Sequence, residues 1–181
     1  MKQLLLLVII CFWSCKNETT QKKEATTTIE NSPQSETTME DDYDLAIYDY
    51  DGLKPLINKK DKNVHVVNFW ATWCAPCVKE LPYFEAVNEK YKEDGVEVLL
   101  VSLDFPKKYD SALKPYIKKH NLKSQVVAFD DTDQNRWIPE INKDWSGAIP
   151  ATIIYKGNER KFYEKSFTQE ELETEINKFL K

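Results

Sequence analysis

The sequence predicts an α/β domain: a mixed central β-sheet with helices on both faces, preceded by a strand and helix as an N-terminal extension. Three observations carry that expectation. Two apolar, β-rich runs, Val64–Trp70 and Val96–Leu103, are separated by a stretch of helical periodicity. Two later β-rich runs flank the turn Lys156-Gly157-Asn158-Glu159, as a hairpin requires. A capped, amphipathic segment closes the chain.

The elements follow in order. Asp44–Tyr50 partly alternates, with Leu45 and Ile47 apolar, and reads as an edge strand. Leu53–Lys60 reads as a short helix ending in the turn Lys60-Asp61-Lys62-Asn63. Val64–Trp70 is the buried central strand. Over Ala75–Asp94 a helix is expected, because Leu81, Phe84, Val87 and Tyr91 recur at spacings of three and four. Pro82 should kink it and Gly95 should cap it. Val96–Leu103 is a second strand, Ala112–His120 a second helix and Gln125–Phe129 a third strand. Asn135–Asn142 is expected to be helical but broken by Pro139. Ala151–Tyr155 and Arg160–Lys165 form the hairpin. Thr168, with Glu171 three residues on, gives the last helix a capping box, and Leu172, Ile176, Phe179 and Leu180 form its inner face.

Composition narrows the function classes. Of 181 residues, 41% are hydrophobic and 30% charged, and the formal charge is −5. A broad basic footprint for nucleic acid is therefore absent. The two histidines, His65 and His120, lie far apart in sequence, which makes a His-rich metal site a poor fit. The four cysteines fall in two pairs, Cys11 with Cys15 and Cys74 with Cys77. Neither pair resembles a secreted disulfide framework.

The N-terminus reads as an address. Lys2 precedes an apolar run, Leu4–Trp13, of signal-peptide length, too short for a comfortable membrane span. The run ends at Ser14-Cys15-Lys16, which resembles the lipobox of bacterial lipoproteins, although Phe12 replaces the preferred aliphatic residue. That resemblance implies lipidation of Cys15; an uncleaved anchor or an ordinary secretory signal are the competing readings. Residues 1–14 are then the signal peptide and 15–42 a polar linker too poor in apolar residues to fold. A flexible tether of that kind reaches about 25–30 Å. The folded domain is residues 43–181.

The chemistry is concentrated in Trp73-Cys74-Ala75-Pro76-Cys77, where a buried strand gives way to a helix. A helix N-terminus presents unpaired N–H groups and partial positive charge, both of which stabilise a thiolate. The first cysteine should be exposed and acidic, with the second one turn inside and able to resolve a mixed disulfide. Pro76 suits the first turn, where its missing N–H is not needed. One C-x-x-C supplies only two of four tetrahedral ligands, so no metal site is expected there.

The run Asn68-Phe69-Trp70-Ala71-Thr72-Trp73-Cys74-Ala75-Pro76-Cys77, continued by Val78-Lys79-Glu80-Leu81-Pro82, resembles the thioredoxin superfamily. Within it, the run most resembles the TlpA/ResA-like branch of envelope-tethered thiol-disulfide oxidoreductases. Trp145-Ser146-Gly147-Ala148-Ile149-Pro150-Ala151-Thr152 resembles the family's cis-proline loop. The resemblance implies Cys74 as nucleophile, Cys77 as resolving thiol and a cis Ile149–Pro150 bond facing them, beside which substrate backbone would pair. It also implies that Trp73 shapes the substrate groove, with Trp145 covering the same groove. Residues 104–115, with Pro106, Lys107 and Lys108, resemble the branch's variable insert.

Two choices bear on redox tuning. Asn68 stands where cytosolic thioredoxins carry a buried aspartate, and cannot accept a proton from Cys77 as a carboxylate would. Glu80 is either that carboxylate from another direction or a solvated surface residue. Ala75 and Pro76 add no positive charge between the cysteines, so the expected potential is reducing to intermediate. No cofactor beyond the Cys74–Cys77 disulfide is expected. The implied partners are exported proteins with cysteines or disulfides and a membrane thiol donor, at a lipid-anchored site in the bacterial envelope facing the periplasm. Cytochrome c maturation is one destination implied by the resemblance; general redox defence and a redox-inert peptide-binding module are the alternatives.

Overall fold

The structure is a computed structural model that describes residues 43–181. The signal segment, the linker and Cys15 lie outside the described residues. Among those described, no helix is long and apolar enough to cross a membrane.

Among the described residues six strands form one sheet. In chain order they are β1 (Ile47–Tyr48), β2 (Val64–Trp70), β3 (Val96–Ser102), β4 (Gln125–Phe129), β5 (Ala151–Lys156) and β6 (Glu159–Tyr163). Their spatial order is β1-β4-β3-β2-β5-β6. The first four are parallel; β5 and β6 join antiparallel, which makes the sheet mixed. Every residue of β2 is buried, because its two faces feed two cores. Val64, Val66 and Trp70 pack on one side and Val67 and Phe69 on the other.

Five α-helices of the described residues cover those faces: α1 (Tyr50–Leu53), α2 (Ala75–Lys90), α3 (Lys114–His120), α4 (Gln134–Ile141) and α5 (Gln169–Asn177). The first core takes Leu81 and Phe84 from α2, Ile117 from α3, and Leu172 and Ile176 from α5. The second takes Tyr50 and Leu53 from α1, and Trp137 and Ile141 from α4. Helices therefore lie on both faces, as the pattern predicts.

The differences from expectation are local and have causes. The helix expected over Leu53–Lys60 is absent: α1 is a single turn that ends at Leu53, set at Tyr50 because Asp49 caps it by accepting the Gly52 N–H at 2.8 Å, and only turns follow it. The long helix after the cysteines ends at Lys90, and a 3-10 turn over Lys92–Asp94 follows. Gly95 closes that turn at φ 78°, a conformation that disfavours any side chain. A π turn over Tyr109–Leu113 leads into α3, whose first turn holds Pro115. Pro139 does not break α4. The helix continues through it, with Asn142 N–H still bonded to the Ile138 carbonyl at 3.1 Å. Burial of Trp137 and Ile141 offsets the missing hydrogen bond.

The capping box on α5 is complete. Thr168 Oγ1 accepts the Glu171 N–H at 3.3 Å, and Glu171 Oε2 accepts the Thr168 N–H at 2.9 Å. Thr168→Ala should lower stability by about 1 kcal/mol. An unchanged urea midpoint would show that Leu172 and Ile176 hold the helix without the cap.

Candidate functional site

Cys74 and Cys77 are joined by a disulfide, with Cα atoms 5.2 Å apart. Cys74 is the N-cap of α2, and its sulfur accepts the Cys77 N–H at 3.3 Å. This is the helix-terminus setting that stabilises negative charge on sulfur. Cys74 is only 6% exposed, however, not open to solvent as the sequence suggests. The Ile149 carbonyl of the proline loop lies against it, and Cys77 is fully buried.

The loop before β5 faces the pair. Ile149–Pro150 is a cis peptide, and the Ile149 carbonyl oxygen lies 3.7 Å from Cys74 Sγ. Pro150 is buried and Ile149 half-buried. Two side chains fasten this loop. Glu164, just after β6, accepts the N–H groups of Ser146 and Ala148 at 3.2 Å and the Ser146 hydroxyl. That hydroxyl, aided by the two N–H groups, holds the Glu164 carboxyl below its usual range. From the other side Trp145 Nε1 donates to the Ala148 carbonyl at 2.8 Å. Gly147 sits between at φ 91°, where an added Cβ would also come within 3.0 Å of Ile138.

Trp145 corrects one expectation. It does not cover the substrate groove. It is buried in the second core against Phe69, Trp137 and Phe162, and acts as a pillar under the loop. Trp70 is wholly buried and Trp73 is 57% exposed.

Behind the disulfide lies a polar cluster. Register pairs Asn68 on β2 with Thr152 on β5. Asn68 Nδ2 donates to Thr152 Oγ1 at 3.1 Å and to Glu80 Oε1 at 3.0 Å. Glu80 is 1% exposed, which removes the solvated-surface reading. Its other oxygen accepts the Phe167 N–H at 2.7 Å. Burial pushes its carboxyl up to about 7, against the pull of the Phe167 and Asn68 bonds. Ala75 and Pro76 lie exposed in the first turn of α2 and bring no charge.

A buried carboxylate that sequence reasoning passed over supports the approach to Cys74. Asp104, 2% exposed, accepts the Thr72 N–H at 3.0 Å, the Thr72 hydroxyl at 2.5 Å and the Ser102 hydroxyl at 2.9 Å. A Thr-x-Cys spacing followed about thirty residues later by Ser-x-Asp carries no local signal for that contact.

One cluster could hold a metal among the described residues. Asp61, His65 and Glu97 bring donor atoms within 4.8 Å of one another at the start of β2 and β3, the far end from the disulfide. Those donors already serve one another. His65 Nε2 is 2.7 Å from Asp61, and Glu97 binds Lys59 Nζ and Asn63 Nδ2, each at 2.6 Å.

The fold and the pair together define the class: a thioredoxin-like protein with a C-x-x-C disulfide at a strand-to-helix junction, opposite a cis-proline loop. A profile of the AhpC/TSA family matches residues 43–160, and the chain belongs to that family. Among curated relatives, thiol-disulfide oxidoreductase ResA of Bacillus thuringiensis subsp. konkukian is 40% identical over 84 residues, 46% of each chain. The chain thus spans about half the length of this curated relative. A thioredoxin family thiol:disulfide interchange protein from Chlorobium tepidum superposes with TM-score 0.57 at 19% identity, covering 71% of this chain and 85% of that one. A secreted thiol-disulfide isomerase from Corynebacterium glutamicum gives 0.56 at 18% identity, covering 66% and 72%. At such identities these two likenesses establish the fold.

Proposed function

We propose that the protein is an extracytoplasmic thiol-disulfide oxidoreductase that reduces disulfides in exported proteins. The observation that carries this is the Cys74–Cys77 disulfide at the N-cap of α2, facing Ile149–Pro150. In the reduced protein Cys74 is the nucleophile: its thiolate attacks a substrate disulfide, forms a mixed disulfide and expels one substrate thiolate. Cys77 then attacks Cys74 Sγ, restores the intramolecular disulfide and releases the second substrate thiol. Two electrons leave the cysteine pair and two thiols form on the substrate, so no organic cofactor is needed.

Glu80, one turn beyond Cys77, is the carboxylate that exchanges a proton with the resolving thiol, and Asn68 holds it in place. The Ile149 backbone and Trp73 line the substrate groove. The N-terminal signal with Cys15 supplies the lipid anchor, and a membrane thiol returns the electrons. The names of the curated relatives support the activity, and the secreted relative supports the location. Heme-binding cysteines of apocytochrome c are one substrate class that this reading accommodates.

Direction follows from charge. Ala75 and Pro76 give the thiolate no cationic neighbour, and Glu80 is acidic, so the reduced form is not specially stabilised. Tryptophan fluorescence titrated against a glutathione or dithiothreitol buffer should place the couple closer to about −270 mV than to about −120 mV. A value at the oxidising end would mean that the protein donates disulfides instead of removing them.

A further inference from the structure

Among the described residues three large apolar side chains are strongly exposed: Ile47, Trp73 and Phe105. Two of them meet. The Trp73 and Phe105 rings stack with centroids 6.2 Å apart and planes 20° apart, while 57% and 66% of the residues remain exposed. Trp73 directly precedes Cys74, so this aromatic face stands at the rim of the disulfide. Uncovered aromatic surface of this kind marks a contact site.

The pairing is built into the fold. Asp104 precedes Phe105 and Thr72 precedes Trp73, and the buried Asp104 carboxylate binds Thr72 through both backbone and hydroxyl. One clasp thus fixes the two rings beside each other. Behind Phe105, Pro106-Lys107-Lys108 forms a 3-10 turn with both lysines exposed. Among the described residues neither finds a carboxylate partner. From Phe105 to Lys123 the chain carries six lysines against one aspartate, although its formal charge is −5. The segment that opens with Phe105 is thus basic on an acidic protein, and its first two lysines follow the ring at the rim of the disulfide.

We infer that Trp73, Phe105, Lys107 and Lys108 form a docking surface selective for a protein substrate whose reacting cysteine is followed by an apolar side chain and then acidic residues. The inference rests on the disulfide exchange proposed above and adds the class of substrate. An apolar side chain would cover the rings, and carboxylates would meet the lysines. An anionic membrane offers similar chemistry, but lipid over these rings would crowd the sulfur that a polypeptide must reach. The placement favours protein.

The test uses the full chain, reduced, with two synthetic disulfide peptides of equal length. One carries Leu-Glu-Glu after the cysteine and the other Leu-Lys-Lys; hydroxyethyl disulfide serves as the small neutral reference. The acidic peptide should react about tenfold faster than the basic one at low salt, and high salt should erase the difference. A double variant, Lys107→Glu with Lys108→Glu, should abolish or invert that preference. Phe105→Ala should lower the ratio of peptide rate to reference rate by roughly three- to tenfold.

A wild-type preference near one, or ratios unmoved by both variants, would overturn the docking surface while leaving the exchange reaction standing. Absence of reaction with every disulfide would overturn both. If the double lysine variant lost binding to phosphatidylglycerol vesicles yet kept the peptide preference, the lysines would serve a membrane and the proposal would fail.

Discussion

Cys74→Ser should abolish disulfide exchange, lowering the rate with a peptide disulfide by on the order of 10³-fold or more. Serine keeps the size and the N-cap hydrogen bond to Cys77 N–H, so the fold should persist. What it removes is the sulfur that forms the mixed disulfide. Cys77→Ser gives the complementary result. It retains the nucleophile at the helix terminus but loses the resolving thiol, so covalent adducts with substrates should accumulate. Mass spectrometry of such adducts, together with loss of the reversible tryptophan fluorescence change in Cys74→Ser, checks the assignment. If the roles were reversed, Cys74→Ser would be the variant that traps adducts.

The second large effect belongs to Glu80. The pKa of its carboxyl is raised from the ordinary 4.5 to about 7, chiefly by burial. The folded protein therefore holds this proton more tightly than the unfolded chain. Stability from Glu80 is complete below about 4.5, declines as pH climbs toward 7, and is fully lost above. At ~1.4 kcal/mol per unit the loss is on the order of 3 kcal/mol. Denaturant unfolding of the oxidised protein between pH 5 and 8 should show this decline, because the bonded cysteines do not titrate.

Glu80→Gln should flatten that decline. Its absolute stability is a poorer guide, since a single amide oxygen must then satisfy both Asn68 Nδ2 and the Phe167 N–H. The difference in slope between wild type and variant isolates Glu80 from every other group. Equal slopes would show that the buried carboxyl keeps an ordinary affinity for its proton. Slowed resolution of the mixed disulfide in Glu80→Gln, with little change in its formation, would mark Glu80 as acting on Cys77.

Features encoded in contiguous residues were open to reading from sequence. The strand before the cysteines, the C-x-x-C at its end and the loop preceding Pro150 each declare themselves within a dozen positions. Glu80 was ambiguous because a glutamate between lysine and leucine fits a charged helix surface equally well. Only the fold brings the Phe167 N–H and the Asn68 amide onto it. Asp104 and Glu164 were silent for a related reason. Each acts on a loop distant in sequence, and the pairing is set by where β3 and β6 end. Trp145 misled because closeness in sequence to Pro150 suggested the groove, whereas the chain turns its ring into the opposite core. Pro139 reads as a breaker because local propensity does not include the packing of Trp137 and Ile141.

The sheet margins have a bearing on the company this protein keeps. At one border stands a strand of two residues, too short to offer an extended chain a useful template. The other border, β6, opens with Glu159, Arg160 and Lys161, charges that discourage a flat neighbour from adding on. If, as proposed, the protein handles half-folded polypeptides, open borders would invite them to polymerise onto it. With both borders defended, the Ile149 backbone beside the sulfurs is where a visiting chain can lie down, react and depart.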